Sequence, residues 1–145
     1  MEPEGRTFKF MIAAAGNWGR DTLLCVRFLT RVPLPGKDRR KLSAAARAFP
    51  IAGAFVGAAA GAALLGANWA GLNSMASALV ALAVSALVTG ALHEDGLADT
   101  ADGFGGGGSR AQKLKIMRDS RIGVFGVLAL VLGVGIRASI LAGLL

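Results

Sequence analysis

Apolar and polar positions fall into long blocks along this chain, with little short-period alternation. From Ala48 to Leu92 no residue is charged, a run of 45. A helix needs about 20 apolar residues to cross a bilayer, so the run holds two crossings and a turn. Gly66, Asn68, Trp69, Gly71 and Asn73 mark the turn, because Gly and Asn favour turns and Trp favours the membrane interface. The pattern predicts a hairpin of spans over 49–65 and 74–92. A third apolar stretch, 122–145, is long enough to cross and contains Arg137. An ionisable residue inside a span is expected to face a bundle interior or a polar cavity. Upstream, Arg20, Arg27 and Arg31 share one helical face, and Leu24, Cys25 and Phe28 another. That predicts a short basic amphipathic helix over 20–31 at the membrane surface, ended by Pro33 and Pro35; a solvated charge stripe is the plainer reading. The expected fold is all-α: a multi-pass membrane helical bundle, with about three transmembrane spans and an N-terminal amphipathic interfacial helix, in one domain over 1–145.

Two ridges of small residues run along the spans: Gly53, Gly57 and Gly61 on the first, and Ser77, Ala81, Ser85 and Thr89 on the second. Small residues let helices approach closely in lipid, so the ridges are expected to face one another or a further helix.

Composition narrows the class. Apolar residues make up 54% and charged residues 17%, against about 25% charged in a soluble domain. Disorder requires low hydrophobicity. Cys25 is the single cysteine, which excludes an internal disulfide or a multi-cysteine zinc site. The 21 glycines follow no three-residue period, which excludes collagen.

Charge sets the topology. The net charge is +7, and residues 1–47 hold ten basic and four acidic residues. The positive-inside rule places 1–47 as a cytoplasmic and interfacial segment. Two crossings then return the chain to the same side, with 93–121 as a cytoplasmic acidic, glycine-rich and basic active-site loop, before the third membrane segment at 122–145. The cytoplasmic face also suits an unpaired cysteine. Glu2, Glu4 and Lys9 argue against a cleavable signal. No nucleic-acid module is present, so nucleic acid is not an expected partner; anionic headgroups explain the basic flank.

The chemistry lies in His93-Glu94-Asp95-Gly96-Leu97-Ala98-Asp99-Thr100-Ala101-Asp102-Gly103-Phe104 and the glycines to Gly108. Asp95, Asp99 and Asp102 stand at i, i+4 and i+7, one face of a helix. Three such carboxylates repel unless a cation sits between them, and magnesium takes carboxylate oxygens and completes its shell with phosphates and water. The plainer reading is an acidic helix start. Glu94 points elsewhere on the helix, as a further ligand or a base. His93 is a proton shuttle or interfacial packing. The glycine run is a linker or a phosphate cradle; it matches no P-loop. Arg110, Lys113, Arg118 and Arg121 fall on a broad basic face suited to phosphate oxygens, or serve as positive-inside anchors. Asp119 and Ser120 can cap the third span, or Asp119 can reach the metal.

Four blocks carry a family resemblance: Arg27–Pro35, Phe49–Gly53, Thr89–Phe104 and Ile116–Gly126. Together they resemble the adenosylcobinamide-GDP ribazoletransferase (cobalamin synthase) family. The resemblance implies a multi-pass enzyme of the cell inner (plasma) membrane, dependent on Mg²⁺, in cobalamin biosynthesis. It implies that adenosylcobinamide-GDP is joined to α-ribazole, giving adenosylcobalamin and GMP, or to α-ribazole 5′-phosphate, giving adenosylcobalamin 5′-phosphate. The expected partners are these substrates and the lipid bilayer, with a homo-oligomer left open. Family members are longer, so the chain reads as an N-terminal portion. The site expected is Asp95, Asp99 and Asp102 as metal ligands, those three or Glu94 as proton acceptor, and Arg110, Lys113, Arg118 and Arg121 on phosphate. The 5′-hydroxyl of α-ribazole is expected to attack. Competing readings are a membrane phosphotransferase of CDP-alcohol type, whose Asp-Gly-x-x-Ala-Arg element has no arginine here, a cation transporter or scaffold, and an inactive membrane fragment.

Overall fold

A computed structural model describes residues 18–35 and 41–145; the reading of Glu2, Glu4 and Lys9 falls outside them. Among the described residues every regular element is helical. In chain order these are α1 (residues 18–29), α2 (Leu42–Ala45), a 3₁₀ turn (Ala46–Ala48), α3 (Phe49–Trp69), α4 (Ser74–Thr89), α5 (Leu92–Gly106), α6 (Arg110–Ile116) and α7 (Val124–Ala142). Leu42–Trp69 and Val124–Ala142 are each long and apolar enough to cross a membrane, and α4 with α5 makes a third candidate, bent by 91°. The chain is an all-α membrane protein with two compact units, one ending at Gly57 and the other beginning at Ala58.

The first unit is built on small side chains. Cys25, Ala45, Ala48 and Ala52 are buried together, with Leu24, Val26, Leu29 and Phe49 packed around them. The Cys25 thiol donates to the Ala45 carbonyl at 3.2 Å; burial, and then the nearby Asp21, pushes its pKa up. Asp21 is fully buried. Its Oδ2 accepts from both Nε and Nη2 of Arg47 at 2.8 Å, and the Arg47 guanidinium lies 4.5 Å from the Trp18 ring centroid. Within the described residues the amphipathic helix covers 18–29 and ends two residues before the end that its charge pattern predicts. It stops where the Thr30 hydroxyl donates to the Val26 carbonyl at 2.6 Å, and Phe28 is half exposed instead of sharing the buried face of Cys25.

In the second unit α3 continues through Gly66 and Asn68 to Trp69, past the predicted end at residue 65. Isolated Gly and Asn do not stop a formed helix; a left-handed residue does. Gly71 has φ +91°, and the Leu72 and Gly71 amides return to the Ala67 and Asn68 carbonyls at 3.1 and 3.0 Å. Asn73 then caps α4, its Oδ1 accepting from the Ala76 amide at 2.8 Å.

The second predicted span, 74–92, is corrected. It breaks after Thr89, where Gly90 (φ +67°) and Ala91 (φ +58°) are both left-handed. The Ala91 amide closes α4 on the Ala86 carbonyl at 2.7 Å. The segment beyond, 93–121, holds helices α5 and α6, and α5 folds back along α7. Its contacts run antiparallel: Glu94 to Arg137, Leu97 beside Gly133, Asp102 to Gly123.

The α4 ridge packs on a further helix, the second of the two expected arrangements. Ala78, Ala81 and Ala138 are buried with Leu64, so α4 meets α7 and the end of α3. A Cβ built on Gly53, Gly57 or Gly61 meets open space.

Candidate active site

The site is assembled from α5, the α6–α7 connection and α7. Asp95 and Asp99 lie one turn apart on α5. With Glu94 they line a cleft of about 510 Å³ that is also lined by Arg118, Asp119, Ser120 and Arg121. Ala98, Met117, Ile122 and Leu130 form its apolar base. Carboxylates of α5 and two arginines of the α6–α7 connection therefore line one space.

The connection is held by its own ion pair. Arg121 donates from Nε and Nη2 to Oδ1 and Oδ2 of Asp119 at 3.0 and 2.7 Å, and its backbone amide donates to Oδ1 at 3.1 Å. These bonds lower the Asp119 pKa to about 2 and raise that of Arg121. Asp119 and Ser120 accordingly do not cap α7, as the sequence had allowed; the N-cap is Gly123, which has no side chain to offer.

Asp102 supplies that cap. Its carboxylate is buried and accepts from the Gly123 amide at 2.6 Å and the Gly126 amide at 2.8 Å. In an ordinary cap the N-cap side chain bonds the N2 or N3 amide. Here a residue 21 positions upstream does so, and its negative charge meets the positive end of the α7 dipole. Gly123 and Gly126 make the approach feasible, because a Cβ at either would overlap the Asp102 carboxylate. The face expected to gather Asp95, Asp99 and Asp102 on one metal is thus divided: both Asp102 oxygens are engaged on α7. Among the described residues no group of three His, Cys, Asp or Glu is placed to hold a metal ion.

The basic candidates divide similarly. Arg118 and Arg121 reach the cleft, whereas Arg110 and Lys113 do not line it. Arg110 opens α6 behind a capping box of Ser109 and Gln112, and the Lys113 ammonium sits 4.2 Å from the Phe104 ring centroid. His93 is exposed and does not line the cleft. The glycine run extends α5 to Gly106, and the Gly103 position packs closely on Met117.

Comparison with known proteins adds the family. The model for cobalamin-5-phosphate synthase (CobS) matches residues 21–145. The chain belongs to this family. It is 54% identical over 133 residues to an adenosylcobinamide-GDP ribazoletransferase of Rhizobium etli (strain CIAT 652), covering 88% of this chain and 51% of that protein. It is 48% identical over 131 residues to the protein of that name from Azorhizobium caulinodans, covering 86% and 50%. The one from Brucella canis is 48% identical over 129 residues, covering 86% and 50%. The chain spans about half the length of these curated relatives. No solved structure matches it.

Three features of this site were only partly legible in the sequence. Arg137 pairs with Glu94, Nη1 to Oε1, at 3.0 Å; only its charge inside an apolar stretch pointed to it. The glycines at 123 and 126 have a signal in retrospect, standing at the N-cap and N3 of a helix with no capping side chain. Ser120 and the apolar base carry no local pattern that distinguishes them.

Proposed function

We propose that this chain forms the metal-binding and phosphate-binding walls of the site at which the whole protein joins adenosylcobinamide-GDP to α-ribazole, releasing GMP and giving adenosylcobalamin, or to α-ribazole 5′-phosphate, giving adenosylcobalamin 5′-phosphate. One observation carries the reading: Asp95 and Asp99 share a single cleft with Arg118 and Arg121. The identity to proteins named for the reaction supports it. The abundance of Lys and Arg in 1–47 and 94–121 supports an inner-membrane placement with the N-terminal flank and the cleft cytoplasmic.

Magnesium fits these residues. Its sites commonly use one or two carboxylates and leave the remaining positions to substrate phosphates and water, and Asp95 and Asp99 are such a pair. Asp102 is left out of this reading because it does not line the cleft, and each of its oxygens accepts an amide of α7. A magnesium ion bound there supplies charge neutralisation of the diphosphate.

The remaining work falls to side chains. Arg118 and Arg121 neutralise phosphate oxygens, a task for which the planar guanidinium is well matched. Arg121 is held in place by Asp119. Glu94 takes the proton of the attacking hydroxyl. The oxygen–phosphorus bond to the ribazole forms as the bond to GMP breaks, and the electron pair leaves on GMP, with no covalent enzyme intermediate. Positioning and electrostatics dominate such transfers. The attacking group is revised from the 5′-hydroxyl: a product that keeps a 5′-phosphate cannot be joined through that oxygen, so another ribose hydroxyl attacks.

The test is GMP release by Asp99→Asn in the whole protein at saturating magnesium. Loss of several kcal/mol of charge stabilisation corresponds to a fall of about 100-fold or more. Near-normal turnover would remove Asp99 from the site.

A further inference from the structure

Arg137 is the only charge within α7, past the midpoint of a helix able to cross a membrane. A guanidinium there is costly and calls for a partner. Its Nη1 donates to Oε1 of Glu94 at 3.0 Å. Glu94 lines the cleft and Arg137 does not. The other oxygen of the same carboxylate, Oε2, is buried and has no hydrogen-bond partner.

A strut between α5 and α7 does not by itself explain this arrangement. Asp102 already ties the far end of α5 to α7, with both oxygens satisfied. Glu94 differs in having one oxygen anchored and the other left over. Buried acceptors are nearly always satisfied, and Glu94 lines the cleft, so a small turn of the carboxylate would let what occupies the cleft supply the missing donor to Oε2.

We propose that Arg137 is a positioning residue for the transfer described above, and the inference rests on that reading. It holds Glu94 through Oε1, so that a turn of the carboxylate brings Oε2 to the hydroxyl of the acceptor nucleoside. As the oxygen–phosphorus bond forms, the hydroxyl proton passes to Oε2, and the electron pair of the breaking bond leaves on the nucleotide. Arg137 touches neither substrate nor metal; it sets which carboxylate oxygen is free and where it stands.

The experiment compares wild type, Arg137→Met, Arg137→Lys, Glu94→Gln and the Arg137→Met/Glu94→Gln double variant of the whole protein in lipid nanodiscs. Steady-state GMP release gives kcat and KM for α-ribazole, and calorimetry gives affinity for magnesium pyrophosphate. Misplacing a general base costs about 10- to 100-fold, so Arg137→Met lowers kcat by that factor. KM and pyrophosphate affinity stay within about twofold, and Arg137→Lys, which keeps charge and a donor, recovers most of the loss. The double variant is no slower than Glu94→Gln, because the two residues act as one unit. Wild-type kcat in Arg137→Met or in Glu94→Gln overturns the inference while leaving the transferase reading intact. So does a parallel loss of pyrophosphate affinity and kcat in Arg137→Met, the mark of a strut. A wild-type protein that neither binds magnesium pyrophosphate nor releases GMP overturns the transferase reading and this inference with it.

Discussion

Asp102→Asn separates the capping role of this residue from a metal-binding one. The substitution keeps the size of the side chain, removes its charge and leaves one acceptor oxygen where two are used. The Gly123 and Gly126 amides then compete for it, and the new amide group faces a donor. A hydrogen bond to a charged acceptor contributes about 1.5–3 kcal/mol. The charge at a partly buried helix N-terminus contributes up to about 2 kcal/mol, and the two overlap. A loss of about 3 kcal/mol follows, about 100-fold in a local opening equilibrium. Amide hydrogen exchange over residues 123–127, measured by mass spectrometry in nanodiscs, reads this directly: the α7 start is expected to exchange about 100-fold faster. Magnesium affinity in the same preparation is expected to stay within about threefold, whereas Asp95→Asn and Asp99→Asn weaken it by about tenfold or more. If Asp102→Asn abolished magnesium binding and left exchange at 123–127 unchanged, the assignment of its carboxylate to α7 would be wrong.

Other substitutions test neighbouring parts of the same logic. Gly126→Ala would gain about 1 kcal/mol in an ordinary exposed helix; here the new Cβ overlaps the Asp102 carboxylate and lies 3.1 Å from the Ala98 carbonyl, so denaturant or thermal unfolding should show a loss of about 1–3 kcal/mol. Gly90→Ala forces an alanine to φ +67° and should cost about 1–2 kcal/mol by the same measurement. Arg47→Met removes the two contacts that Asp21 Oδ2 accepts from the guanidinium, a loss on the order of 2 kcal/mol, and the rate of Cys25 alkylation reports it, rising above the slow rate of the buried thiol. Asp119 should titrate near 2 by carboxyl ¹³C NMR. Its pKa is depressed in the fold, so the contribution of its pair with Arg121 is complete above about pH 4 and is lost as pH falls through 2; a midpoint at the ordinary carboxylate value would show that the pair does not form.

The helical class and the apolar blocks were legible because they depend on charge-free runs longer than a bilayer is thick. The acids and bases of the cleft were legible as residue types, because Asp95 and Asp99 sit on one helix at a spacing that local geometry decides. The task of Asp102 was not, since its partners lie 21 and 24 residues away and i, i+7 spacing says nothing about them. The break at Gly90-Ala91 was hidden by Ala91, a residue with no preference for φ +58°, placed where hydropathy alone continues the span. The basic face failed as a unit for a related reason. Arg118 and Arg121 lie beyond the end of α6, so helical spacing does not relate them to Arg110 and Lys113. Arg47 and Asp21 offered no signal, since nothing local links a basic residue before a span to an acid 26 positions earlier.

The bend between α4 and α5 explains why so many charges can stand beside a membrane helix. Sixteen residues of α4 reach about 24 Å, most of a bilayer core of about 30 Å. A straight continuation would carry Asp95 and Asp99 out of the lipid and away from α7. The bend of 91° turns α5 along α7 instead, so that Glu94 meets Arg137 and Asp102 meets the α7 start. Charged side chains in such a position must be paired or face a polar cavity, and each acid on α5 is accounted for in one of those ways. Glu94 has Arg137, Asp102 has two backbone amides, and Asp95 and Asp99 have the cleft. Restoring a continuous helix across Gly90 and Ala91 should therefore do more than strain the backbone. It would part Glu94 from Arg137 and Asp102 from Gly123 at once. Combining Gly90→Ala with Asp102→Asn tests this: if the bend and the cap hold the same docked arrangement of α5, their effects on exchange at residues 123–127 are not additive, whereas independent elements would give a simple sum.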